Sequence, residues 1–536
     1  MHLNFSHDNS TDILEYVETL RHTVDLKLAD QRRVQMGQFM TPAPVARFMA
    51  SLFQNVGREV RLLDPGAGVG SLSVAFVDHV LRLSVLPSSI LVHSYELENS
   101  MLTSLTASLK WAEQACAQRN VSFRSVVRSE DFILASTDLL AYQHSFFEDQ
   151  AVRFTHCIMN PPYRKIKVNS VWRAQLQRIG IQTSNLYTGF LATAVKLLEP
   201  GGELVAIVPR SFCNGVYFRQ FREFFLAEMS LKHLHVFDSR ESVFKDNKVL
   251  QENIILYAVK GAPDDSVTIT ASLDPSLKDL TLRVATCEQV VNPKDPEQFI
   301  NIATDEVGQM VVDRLRTFDS SLDDLGLSVK TGPVVDFRVK SDLRKEQAPD
   351  TVPLIYPNHF KNHRVVWPKS QGRKSNAIAV TTQSKPWLMP NDWYVLTKRF
   401  TSKEEKRRVV AAIYDPSLTP TSRVGFENHL NVFHNGGSGL KPALARGLAV
   451  FLNSTLIDLY FRQFSGHTQV NAADLRMLRY PDRCALVRLG QGIGQDVPLS
   501  KKSMHESTWR FFRCRLNIVH PIQSRCSKEF KKRLQS

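Results

Sequence analysis

From residue 60 to about 260, short apolar runs alternate with stretches of helical periodicity. This alternation restricts the possible folds more than any other feature of the chain. The runs are VRLLD (60–64), ILVHSYE (90–96), CIMN (157–160), ELVAIVP (203–209), LKHLHVFD (231–238) and NIILYAV (253–259), with helical spacing over 71–83 and 99–118. Strands buried on both faces read as continuous apolar runs, and helices between them imply a parallel sheet. The expected architecture is therefore a doubly wound α/β domain. Such sheets bind ligands outside the carboxyl ends of their strands. Asp64, Glu96 and Asn160 each fall at a predicted strand end.

The rest of the chain divides around this core. Residues 1–35 carry Ile13, Leu14, Val17, Leu20, Val24 and Leu28 at helical spacing and form an N-terminal helical segment. Thr41-Pro42 opens a second helix. The α/β domain extends over 36–265, followed by a connector over 266–320. A mixed α/β domain follows over 321–490, with aromatic and basic residues interleaved, and a basic tail over 491–536. The 536 residues have a net charge of +14, and residues 500–536 alone hold ten Lys/Arg against two Asp/Glu. The remainder carries +6, so bulk charge by itself is a weak argument for a polyanionic partner. The seven cysteines contain no C-x-x-C pair, which argues for a reducing cytoplasm and against a zinc ribbon. No metal site is expected. Neither a secretory signal nor an apolar run of about 18 residues is evident, so no membrane role is expected.

Three motifs carry chemistry. In LLDPGAGVGSLS (62–73), Gly66, Gly68 and Gly70 allow a tight turn and close approach of a ligand to the backbone. Glu96 can accept from both hydroxyls of a ribose. Asp131, next to Phe132, can hold an adenine ring that the phenyl group stacks on. Together they outline a nucleoside pocket, with Thr41 closing it from the N-terminal side. The third motif, Asn160-Pro161-Pro162-Tyr163, ends a core strand with a rigid loop, because proline fixes φ and removes a donor. The Asn160 side-chain oxygen and the Pro161 carbonyl can both accept from an exocyclic amino group. They would bias its nitrogen from planar toward tetrahedral and free its lone pair for attack. Tyr163 can stack on the base.

GQFMTP, LLDPGAGVG, YELE, EDF, NPPY and LLEPGGELVAIVP occur in the order seen in N6-adenine DNA methyltransferases of the gamma group. Over roughly residues 35–260 the chain resembles the TaqI-like family, and more closely the single-chain methyltransferases of type II restriction–modification systems. KTGPVVDFRVKSDLR (330–344) and FRQFSGHTQVNAADLRMLRYP (461–481) look like parts of that subgroup's recognition region. The resemblance implies a Rossmann-like methyltransferase domain with S-adenosylmethionine as cofactor, held by Thr41, Asp64, Gly66, Gly68, Glu96, Asp131 and Phe132. It implies Asn160, Pro161 and Tyr163 at a flipped adenine, with Phe244 on the opposite face of the base. It implies double-stranded DNA as substrate, a separate cognate restriction endonuclease, and a C-terminal DNA-recognition domain. There Arg338, Lys340, Arg344, Lys361, Arg364 and Lys398 are candidate phosphate or guanine contacts. The tail departs from the family pattern.

Three other readings compete. A side-chain amide can occupy an N-P-P-Y site, as in protein-glutamine methyltransferases, but the long aromatic-basic half speaks against that. Cytosine N4 methylation more often uses Ser than Asn at the head of the motif. A non-catalytic DNA-binding specificity protein would have no need of Asp64, Glu96 and Asn160 together. No acid–acid–lysine cluster suggests a fused nuclease.

Overall fold

The structure, a computed structural model, describes residues 13–27, 40–143, 153–237, 252–261, 265–369, 372, 374–401, 405–464 and 469–492. The chain divides into two compact units after Thr304. The first is built on a nine-stranded sheet. Its strands are β1 (Glu59–Pro65), β2 (Ser89–Tyr95), β3 (Ser122–Arg128), β4 (Phe154–Met159), β5 (Leu198–Pro209), β6 (Met229–Phe237), β7 (Asn253–Lys260), β8 (Ser266–Ser272) and β9 (Thr281–Thr286), in the order 3-2-1-4-5-7-6-8-9. Strands β1 to β5 run parallel, and β7 is antiparallel to β5 and β6. The strand order turns back between β1 and β4, the switch point at which a crevice opens beyond the strand ends. Asp64 and Asn160 flank that point.

The first unit also contains helices α1 (Ile13–Lys27), α2 (Ala43–Ser51), α3 (Ser71–Leu81), α4 (Asn99–Gln118), α5 (Phe132–Gln143), α6 (Val171–Arg178), α7 (Leu186–Leu197) and α8 (Arg219–Glu228), and a single turn over Cys287–Val290. They bury apolar residues in two cores. One contains Val45, Met49, Leu62, Val74, Phe76 and Leu105. The other contains Leu63, Ile133, Cys157, Leu191, Leu204 and Phe225. The buried Glu203 carboxylate on β5 accepts from the backbone N–H groups of Gln54 (3.1 Å) and Asn55 (3.0 Å), from Asn55 Nδ2 (2.6 Å) and from the Tyr257 hydroxyl (2.9 Å). It fastens the end of α2 to the sheet. At the start of α2, Glu18 Oε2 accepts from Ala43 N at 3.1 Å. Thr41 is held close to this second anchor.

Two parts of the sheet were not evident in the sequence. β3, SFRSVVR, is an edge strand with no fully buried residue, so it has no apolar run. β8 and β9 extend the opposite edge from the stretch that reads as a connector, and β9 is exposed along most of its length.

The second unit has a six-stranded sheet and a five-stranded sheet, with helices over Glu306–Arg316, Pro442–Leu452, Thr455–Phe464, Ala472–Met477 and Arg483–Gln491. Much of its aromatic content is interior: Tyr356, Tyr394, Tyr414, Phe426, Phe433 and Tyr480 are all 2% exposed or less. Their interleaving with basic residues therefore reflects strand alternation more than a recognition surface. Among the described residues no single helix is long and apolar enough to cross a membrane.

Candidate active site

The turn after β1 gives the crevice its floor. Gly66, Gly68 and Gly70 have φ of +79°, +58° and +88°, the left-handed region that glycine enters without strain. The N–H groups of Gly66 and Ala67 both donate to Tyr95 O, at 2.8 and 2.9 Å, which ties the turn to β2. Glu96, at the end of β2, is 3% exposed. Its Oε2 accepts from Gly68 N and its Oε1 from Glu98 N, each at 2.8 Å. Burial raises its pKa, against those backbone donors. Each oxygen keeps acceptor capacity for a ligand hydroxyl.

Asp64 is placed differently from its neighbours in the motif. It is fully buried beneath the turn, outside the cavity wall, and its Oδ2 accepts from the Ser73 hydroxyl at 2.6 Å. Its Oδ1 has no hydrogen-bond partner among the described residues. Burial, with the Glu96 charge adding to it, lifts its pKa to about 7 against the Ser73 hydrogen bond.

The cavity is bounded by Thr41, Gly66, Gly68, Glu96, Asp131 and Asn160, with Phe132, Pro162, Phe190 and Trp172 among its further walls. Residues predicted from separate motifs thus meet in one place. The glycine turn approaches the fourth strand end closely: a Cβ on Gly66 would lie 3.9 Å from the Asn160 carbonyl oxygen and 3.9 Å from the Phe190 ring.

The Asn160 amide is held at both ends. Its Oδ1 accepts from the Tyr163 hydroxyl at 2.9 Å, and its Nδ2 donates to Thr41 Oγ1 at 3.0 Å. The same Tyr163 hydroxyl is within 3.1 Å of the Ile207 carbonyl on β5. Burial pushes the Tyr163 phenol well above its usual range, so it stays a donor. Pro161 is buried, and Pro162, not Pro161, faces the cavity.

Asp131 caps α5 by accepting from Leu134 N through Oδ1 at 3.0 Å. Its Oδ2 accepts from Trp172 Nε1 at 2.8 Å. Trp172 also has the Arg164 guanidinium 5.7 Å from its ring centroid. Phe132 packs against Phe190 at 5.1 Å and against Tyr95 at 5.2 Å. Trp172, Phe190 and Tyr95 did not stand out in the sequence. Phe190 and Tyr95 read as core in their helix and strand, Trp172 lies in a polar helix, and only the fold brings them to Asp131 and Gly66. With its bare glycine backbone, part-engaged carboxylates and aromatic walls, the cavity fits a nucleoside.

The basic residues predicted in the second unit are spread over two sheets. Lys361 and Arg364 pair across a hairpin at one edge of the six-stranded sheet, and Lys398 lies half-buried on an inner strand. Arg344 lies on the edge strand of the five-stranded sheet and donates to Ser341 O at 2.7 Å. Arg338 and Lys340, just before it, are exposed. Phe244 and the basic tail beyond residue 492 lie outside the described residues.

Residues 85–244 match the Eco57I restriction-modification methylase family. The chain is 43% identical to the type II methyltransferase M.PstI of Providencia stuartii over 468 residues, covering 87% of this chain and 91% of that protein. It is 42% identical to the type II methyltransferase M.BsuBI of Bacillus subtilis over 488 residues, covering 91% and 95%. Among solved structures, the type IIL restriction–modification enzyme MmeI, determined in complex with DNA, is 10% identical. It matches over 98% of this chain and 78% of its own with a TM-score of 0.52, a likeness of fold. The sheet order, the shared cavity and the near full-length identity to these relatives agree: the chain belongs to the type II methyltransferases of restriction–modification systems.

Proposed function

We propose that the protein transfers a methyl group from S-adenosylmethionine to the N6 amino group of an adenine turned out of duplex DNA, at a specific site. Its role is then to protect DNA from a cognate restriction endonuclease. The observation that carries this reading is the Asn160 amide, fixed by Tyr163 on one side and Thr41 on the other at the wall of a nucleoside-shaped cavity.

Glu96 is positioned to accept from the ribose hydroxyls and Asp131 from the adenine amino group of the cofactor. Gly66 and Gly68 leave room at the backbone, and Phe132 and Phe190 provide apolar walls. Thr41 holds the Asn160 amide nitrogen, and Asp64 acts from below the turn. When bound, the cofactor supplies an electrophilic methyl group. A carboxamide oxygen can accept two hydrogen bonds, so Asn160 Oδ1 can accept from a target amine as well as from Tyr163. Pro161 is buried, so its part is confined to its backbone carbonyl, which together with Asn160 Oδ1 would accept the two hydrogens of the target amine and draw its lone pair out of conjugation. The amine so held would take up the methyl group and then release its extra proton to water. The Tyr163 ring stacks on the extruded base. Extrusion costs a few kcal/mol, and each stacked face returns ~1–3 kcal/mol. The second unit is assigned to site reading.

The test is sequencing of DNA from cells expressing the protein, by a method that reports modified bases. N6-methyladenine in one sequence context is expected, and Asn160→Ala removes it while S-adenosylhomocysteine still binds. A mark at cytosine, or one that survives Asn160→Ala, overturns the reading.

A further inference from the structure

The stretch that follows Asn160 is unusual in charge. Residues 160–198 contain six Lys/Arg and no Asp or Glu. Two of the six have contacts elsewhere: Arg178 pairs with Asp138 at 2.8 Å, and Lys196 lies 5.5 Å over Phe224. Arg164 faces the cavity beside Trp172. The side chains of Lys165, Lys167 and Arg173 have no ion-pair or hydrogen-bond partner among the described residues.

The segment is held firmly from within. Leu186 N donates to Arg164 O at 2.7 Å, and Ile166 N to Ser184 O at 2.8 Å. Ile166, Leu176, Ile179 and Ile181 are buried beneath it. Lys165 and Lys167 flank Ile166 and are exposed. Val168 and Val171 stand out at 74% and 55% exposure. Ser170 caps α6, which presents Arg173 in its first turn. An arch with an apolar underside carries an outer face of unpaired cations and bare valines, and it starts within five residues of Asn160.

We propose that this arch is a DNA-backbone clamp on the catalytic unit. Lys165, Lys167 and Arg173 would neutralise phosphates next to the extruded base, and Val168 and Val171 would rest on sugar and base edges. Unpaired cations beside an apolar tip complement a phosphodiester chain, whereas a paired, mixed-charge surface would not. The inference rests on the reading that duplex DNA is the substrate. It adds a grip that does not depend on the site-reading unit.

The experiment uses the full chain and a duplex of arbitrary sequence, with binding measured as a function of salt in the presence of S-adenosylhomocysteine. Each phosphate contact contributes about 0.9 to the slope of log K against log salt, so Lys165→Gln, Lys167→Gln and Arg173→Gln together should lower it by about 2–3. Affinity at about 0.1 M salt should fall at least tenfold, while S-adenosylhomocysteine binding is unchanged. Arginine at all three positions should restore the slope. As a control for bulk charge, Lys110→Gln, Arg119→Gln and Arg124→Gln remove three exposed cations from α4, the turn after it and β3. An unchanged slope in the arch variant, or an equal loss in the control, overturns the clamp. If the wild-type chain neither binds duplex nor incorporates labelled methyl groups into genomic DNA, the failure lies with the proposed function itself.

Discussion

Replacing Tyr163 with Phe separates two roles that the ring and the hydroxyl would otherwise share. The phenyl ring survives, so stacking on a base is kept. The hydroxyl's single proton, shared between Asn160 Oδ1 at 2.9 Å and Ile207 O at 3.1 Å, is lost. A buried hydrogen bond contributes about 0.5–1.5 kcal/mol net, and an acceptor left without a partner costs about 1–3 kcal/mol. Ile207 O belongs to β5, so part of the loss falls on stability; about 1–2 kcal/mol is expected in urea unfolding. The Asn160 part falls on the amide's orientation. With Oδ1 released, the 3.0 Å bond from Nδ2 to Thr41 remains, but the oxygen end of the amide is no longer fixed by Tyr163. A loss of about 1.4 kcal/mol in the transition state alone is a tenfold fall in kcat. Single-turnover methyl transfer at saturating cofactor and DNA should therefore slow about tenfold, with DNA affinity nearly unchanged, while Tyr163→Ala weakens DNA binding as well. A Tyr163→Phe protein with a full single-turnover rate and a normal unfolding midpoint would refute the reasoning, because the amide would then need no holding.

Three further outcomes follow from the same geometry. Trp172→Phe keeps the cavity wall but removes the donor to Asp131 Oδ2, so S-adenosylhomocysteine affinity measured by calorimetry should fall several-fold with kcat at saturation little changed; a kcat effect without a binding effect would contradict this. Asp64 has a folded pKa near 7, above its ordinary value near 4, so the native state holds the extra proton between those limits and stability declines as pH rises through that window. Asp64→Asn should remove that decline, up to about 4 kcal/mol across the window, and thermal unfolding of both proteins at pH 5 and pH 8 measures it. Gly70→Ala would place a Cβ 3.0 Å from Leu105 Cδ1 and 3.2 Å from Ser108 Cβ at φ +88°; a stability loss of about 1–3 kcal/mol with weaker cofactor binding is expected, and an unaltered midpoint would show that the turn relaxes freely.

Strands β1, β2, β4, β5, β6 and β7 were legible because each has most of its residues buried and reads as an apolar run. β3 and β9 were not, since an edge strand needs no such run. Glu96 and Asn160 were legible because polar residues at the ends of core strands are conspicuous, and Asp131 because it stands beside an aromatic, Phe132. Trp172 was hidden because its contact with Asp131 spans 41 positions and its own helix reads as polar surface. The exposed cations following NPPY were visible as letters, but nothing local showed that Ile166 turns inward while its neighbours turn out. In the second unit, local pattern misled: aromatic residues beside lysines and arginines looked like a nucleic-acid face, and most of them are the packing between strands.

The Glu203 carboxylate has a bearing on the other end of the molecule. By receiving four donors it hitches the chain after α2 to the central sheet, and the opposite end of α2 is latched by Glu18. Thr41 therefore owes its place beside Asn160 to two moorings, each remote from it in the chain. Deleting the first helix, or trading Glu203 for an aliphatic residue, would let the threonine drift while leaving every motif residue intact. Such a protein would keep its whole signature in print and lose the alignment on which turnover depends.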